Sequence, residues 1–130
     1  MTIKTFFAIF AVLSVLFGIG FVLAPAQVLI NYGVESSPTV ALMSRLFGGT
    51  LLAMAVILWF ARDFRGEPLR GVLIGFGVSD GVNLVIATMA TLAGTVNALG
   101  WTTVLIYLCG TIGAVYFLST GQSQQRVMNA

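Results

Sequence analysis

Two residues in this chain carry charge where their neighbours are apolar. Arg45 stands in "MSRLFGGTLLAMAVILWF" and Asp80 in "GVSDGVNLV". A guanidinium and a carboxylate match as a two-pronged, charge-assisted pair. Ser44 and Ser79 put a hydroxyl next to each charge, and Asn83 adds an amide about one helical turn beyond Asp80. Two kinds of chemistry fit this set. One is an internal clip between two helices. The other is a polar site that binds an anion, relays a proton or holds the polar end of a lipophilic ligand.

Catalysis fits less well. One carboxylate and one arginine, with no base beside them, offer little for general acid–base work. The chain has no histidine, which removes histidine-ligated haem, histidine-based zinc sites and histidine triads. Cys109 is the single cysteine, so no intrachain disulfide can form. It reads as a buried small residue, because no neighbour in sequence would activate it as a nucleophile. The expectation is a non-enzymatic protein with no cofactor, no metal and no catalytic residue.

The surroundings of these polar groups identify their solvent. Of the 130 residues, 58% are hydrophobic and 8% are charged, against about 25% charged in soluble domains. Such a chain lacks the polar surface to cover itself in water, so the bilayer is its expected partner. Six Lys and Arg residues and a net charge of +2 are too few for a nucleic-acid footprint.

Four apolar runs are long enough to cross about 30 Å of hydrocarbon at about 1.5 Å per residue. They cover residues 5–24, 38–61, 69–93 and 101–119. The first carries a signal-peptide-like "APA" at its end, but signal h-regions run about 7–15 residues and this run is longer. It is therefore expected to be a retained helix. Pro25 and Gly33 bracket a short helix lying on the membrane surface, and Ser37-Pro38 supplies an N-cap and N1 proline for the second span. "RDFRGEP" and "GTVNALG" are tight loops, and residues 120–130 form a mobile polar tail. Short loops imply antiparallel neighbours, so the expected architecture is all-α, an integral up-down-up-down four-helix bundle.

Lys4, Arg62, Arg65, Arg70 and Arg126 all fall at one end of this arrangement. The positive-inside rule makes that end cytoplasmic, with both termini there. Trp59, Phe60 and Phe64 would then sit at the inner interface, and Tyr32 and Trp101 at the outer. Arg45 and Asp80 fall at depths a few ångströms apart on antiparallel spans, within reach of an arginine side chain. A pair is expected because a lone charge at mid-bilayer costs about 2.5–3.5 kcal/mol on insertion scales.

Small residues form the second pattern. Gly71, Gly75, Ser79 and Asn83 recur every four residues, and Gly77 and Gly81 repeat the spacing. Such ridges let membrane helices approach closely. Gly48 and Gly49 on the second span, with Gly110 and Gly113 on the fourth, are expected to face them. Met43, Met54 and Met89 read as gap-fillers.

Four motifs also carry a resemblance: "LAP" closing the first span, "YG" in the following segment, "SRLFGGTLLAMAVILWFAR" as the second span and "NALGW" opening the fourth. Together they resemble a group of small bacterial four-helix membrane proteins without assigned function, similar to DoxX-type proteins. The resemblance covers most of the chain and implies a bundle in the bacterial inner membrane. It implies no catalytic residues. Small multidrug-resistance transporters differ, since the first span here has no acid. Dual-topology fluoride channels differ in charge bias and in the order of residues around "RLFGG".

The leading expectation is a protein that works by helix packing, as an accessory subunit of a membrane complex or a small homo-oligomer. The alternative is a binder of a quinone- or lipid-like molecule through Arg45, Asp80 and Asn83. A transporter or channel would require an oligomer, because one four-helix bundle encloses little pore.

Overall fold

The computed structural model describes the backbone of residues 1–128 and the side chains of residues 1–121. The described residues form five helices and no strand: α1 (Ile3–Leu23), α2 (Pro25–Asn31), α3 (Pro38–Ala61), α4 (Gly66–Leu92) and α5 (Gly100–Met128). All but α2 are long and apolar enough to cross a membrane. The protein is a four-helix membrane bundle.

Local punctuation sets the helix ends, at Ser37, Pro38 and Gly33 as the sequence implies and at Thr2 in addition. Thr2 caps α1, its side chain accepting from the Thr5 N–H at 3.3 Å. Ser37 caps α3 by accepting from the Val40 N–H at 3.2 Å, with Pro38 at the first helical position. Gly33 ends α2 and Gly94 follows α4, both at φ 74°, a left-handed conformation open to glycine at little cost. One end differs from expectation. The α5 backbone stays helical to Met128 instead of giving way to a polar tail after residue 119. The stretch "GQSQQRVM" contains no proline, and its Gln, Arg and Met residues are good helix formers. The side chains of 122–130, Arg126 included, lie outside the described residues.

The helices associate as two pairs. α1 lies along α3 and α4 along α5, while α3 meets α4 and α1 meets α5 only sparsely. Glycines explain the pairing. A Cβ on Gly48 would fall 2.8 Å from the Gly18 carbonyl oxygen of α1, so these two backbones touch. Between α4 and α5, a Cβ on Gly77 would stand 3.0 Å from that of Ala114.

The expected ridge holds only in part. Gly77 and Gly81 face α5, although a Cβ on Gly81 would only reach Thr111 at 4.0 Å. Gly48 packs on α1, not on α4. Gly49, Gly71 and Gly75 face open space, with nothing within 4 Å of a Cβ there. A stripe spaced by four turns about 40° per step at 3.6 residues per turn. Gly71 and Asn83 are therefore about 120° apart and cannot share a seam. Cys109 is exposed on the outside of the bundle and is not the buried filler its neighbours implied. Met43 and Met89 are exposed too, whereas Met54 packs against the core.

The two pairs meet through aromatic rings. Phe6 and Phe10 of α1, Phe76 of α4 and Phe117 of α5 interlock, with centroids 5.8 Å apart for Phe6–Phe76, 5.2 Å for Phe10–Phe76 and 5.3 Å for Phe6–Phe117. Phe7, Leu58, Ala61 and Leu73 complete this core. It fills the half of the bundle nearest Lys4 and Arg62, called the basic end below. At that end Lys4 Nζ lies 2.7 Å from Asp63 Oδ1. The Lys4 ammonium beside it holds the Asp63 carboxyl below its ordinary range. The Arg62 guanidinium lies 3.7 Å from the Trp59 ring centroid.

A cavity floored by Asp80

The expected pair between Arg45 and Asp80 does not form. Arg45 is exposed, and among the described residues the ion pairs are Lys4–Asp63, Arg62–Asp63 and Arg70–Glu67. Depth alone permitted the contact; the helix face forbids it. Ser44 is buried, its hydroxyl donating to the Val40 carbonyl at 2.8 Å. Gly48, one turn on, lies in the α1 seam. The next residue along a helix points about 100° away, so an inward Ser44 sends Arg45 outward.

Asp80 goes the other way. It stands midway along α4, 6% exposed, and its Oδ2 is buried without a hydrogen-bond partner. The carboxyl lies against the α5 backbone at Gly110, in the space that a Cβ there would occupy. Glycine at 110 makes room for the acid.

Above Asp80 the two helix pairs stand apart around a cavity of about 400 Å³. α1 contributes Phe10, Ser14, Phe17 and Phe21; α3 contributes Phe47, Thr50 and Met54; α4 contributes Phe76, Ser79, Asp80 and Asn83; α5 contributes Thr103 and Tyr107. Phe10 and Phe76 close the floor toward the basic end. Leu29, Tyr32, Val34 and Val96 form the roof. α2 thus covers the cavity with its buried Leu29.

Hydrogen bonds fasten the roof. The Tyr32 and Thr103 hydroxyls are 2.8 Å apart. Asn97 donates its backbone N–H to the Tyr32 carbonyl at 2.8 Å and its side-chain amide to the Asn31 carbonyl at 2.9 Å. Its Oδ1 accepts from the Leu99 N–H at 3.0 Å. The "NYG" and "NALG" stretches are therefore two halves of one latch. Tyr32 is part of this latch.

Of the residues expected in one polar site, Ser79, Asp80 and Asn83 line the cavity, while Ser44 and Arg45 do not. Tyr32, Thr103, Tyr107 and the aromatic wall were not anticipated. Part of that wall was readable. Phe10, Ser14, Phe17 and Phe21 recur at helical spacing on one face of α1. A mainly apolar cavity with a few convergent polar groups, within the roughly 300–1,000 Å³ typical of ligand sites, can hold a small molecule. Among the described residues no group of three or more His, Cys, Asp or Glu is placed to hold a metal ion. No family model, curated protein or solved structure matches the chain, so its likeness to DoxX-type proteins stands on the sequence motifs alone.

Proposed function

We propose that the protein binds a small lipophilic molecule within the bundle and is not an enzyme. The observation that carries this reading is the cavity itself: about 400 Å³ of mainly apolar space lined by a single charged side chain, that of Asp80. The cavity lining offers a single carboxyl and no imidazole, amine or thiol, which favours holding a molecule over transforming it. This replaces Arg45 in the binding reading with the aromatic wall and Tyr107.

The test is purification in detergent-free lipid discs followed by intact-mass analysis. One small molecule per chain is expected, and Ser14→Trp, which fills the cavity, should abolish it. A wild-type protein that carries nothing and accepts nothing would overturn the reading. We also infer a bacterial cytoplasmic-membrane location with both termini inside, supported by the clustering of Lys4, Arg62, Arg65 and Arg70 at one end.

A second reading, the accessory subunit, is favoured by Gly71 and Gly75. Both are exposed on α4 with open space where a Cβ would stand, a surface suited to a partner helix. Gly75→Leu would then release a co-purifying membrane protein without loss of fold.

A further inference from the structure

We propose that the molecule held in the cavity is a lipophilic cation, an apolar amine whose ammonium group meets Asp80. The inference rests on the binding reading above and specifies its ligand.

Asp80 is the one charged side chain lining the cavity. Among the described residues no cation pairs with it. Lys4, Arg62 and Arg70 pair with Asp63 and Glu67 at the basic end, beyond the floor of phenylalanine rings, and Arg45 faces outward. The side chain is more than nine-tenths buried, and its Oδ2 has no partner. Gly110 holds the acid in place from behind by leaving it room against α5. A carboxylate at mid-membrane calls for a counter-charge, and the described residues supply none.

The walls point the same way. Phe17, Phe21, Phe47 and Tyr107 surround the space above Asp80. Aromatic faces carry negative quadrupole charge and attract cations, most strongly where water is excluded. A fatty acid, or a phosphate ester with no cation of its own, would bring only a like charge to the carboxylate. A neutral alcohol or phenol would offer the Asp80 carboxyl a hydrogen bond but leave its charge uncompensated. An ammonium supplies both an N–H donor and the opposite charge, and charge-assisted hydrogen bonds are about twice as strong as neutral ones. The volume, near the lower end of ligand sites, suits one compact amine.

Three shape-matched probes separate these cases: phenylbutylamine, phenylbutanol and phenylbutyrate, titrated against the protein in phosphatidylcholine discs with empty discs as blank. The amine should bind at least about tenfold more tightly than the alcohol, and the butyrate more weakly than either. In Asp80→Asn the amine's advantage should shrink to about twofold or less while alcohol binding persists. If that variant does not fold, the amine-to-alcohol ratio of the wild-type protein decides alone. Equal binding of amine and alcohol, with both lost in Ser14→Trp, would overturn the cation while leaving the cavity as a binding site. Undiminished binding of all three probes in Ser14→Trp would overturn the binding reading as well. Displacement of the amine by added phosphatidylethanolamine would assign the ammonium to a lipid headgroup, and indifference to it would assign a free amine; either source supports the inference.

Discussion

The two ends of the bundle use phenylalanine in opposite ways. At the basic end, the rings of Phe6, Phe10, Phe76 and Phe117 reach across from one helix pair to the other and fill the space between them. At the far end, the rings stay within a pair. Phe21 packs on Phe47 across the α1–α3 seam, centroids 5.4 Å apart and edge to face, and the space between the pairs is left as a cavity. Asp80 sits at the boundary. Residue type therefore does not decide whether a region is core or binding site; the direction in which the rings interlock does. The filled end holds the two pairs together, and the far end is left hollow.

The strongest way to break this contrast is to remove a ring from each end. Phe6→Ala empties a position that is 2% exposed and touches both α4 and α5. It should cost about 3–5 kcal/mol and reduce the yield of folded protein. Phe17→Ala only enlarges an existing cavity and should cost less than half as much. Thermal unfolding in lipid discs compares the two. Equal losses would mean that the far end is as tightly packed as the basic end.

The glycines sharpen the same contrast at smaller scale. Gly48→Ala drives a methyl into the Gly18 carbonyl and should destabilise the α1–α3 pair by about 1–3 kcal/mol. Gly75→Ala meets nothing and should be neutral or stabilising by up to about 1 kcal/mol, through helix propensity alone. A reversed order would place the tight seam on the wrong helix.

The smallest expected effect concerns Arg45 and Asp80. In a double-mutant cycle of Arg45→Leu with Asp80→Leu, the coupling energy should fall below about 0.5 kcal/mol, as for independent sites. A larger coupling would restore the paired clip that the sequence invited.

That invitation shows where sequence reading stopped. Helix number, bundle class and several helix ends were legible, because run length, Ser37-Pro38 and Gly33 act through local rules; the end of α5 was not. Asp80 was legible as an anomaly. Its partner was not. Charge and depth pointed to Arg45, and only the rotation of α3 about its own axis, fixed by Ser44 and Gly48 on the α1 seam, excludes it. Gly71 and Gly75 misled for the same reason, since a four-residue stripe drifts around the helix. Tyr107 and the Tyr32–Asn97 latch depend on contacts between residues far apart in sequence, which no local pattern encodes.

The central claim is that apolar ligands enter the far half of the bundle above Asp80. Photolabelling tests it most directly. The wild-type protein in lipid discs is irradiated with a diazirine-bearing arylalkylamine, with and without excess phenylbutylamine, and adducts are mapped by peptide mass. The account predicts adducts on Phe17, Phe21, Phe47 or Tyr107 that the competitor removes, and none on Phe6 or Leu73. Labelling confined to outward-facing residues such as Leu16, Val78 and Leu105, unaffected by competitor, would contradict it.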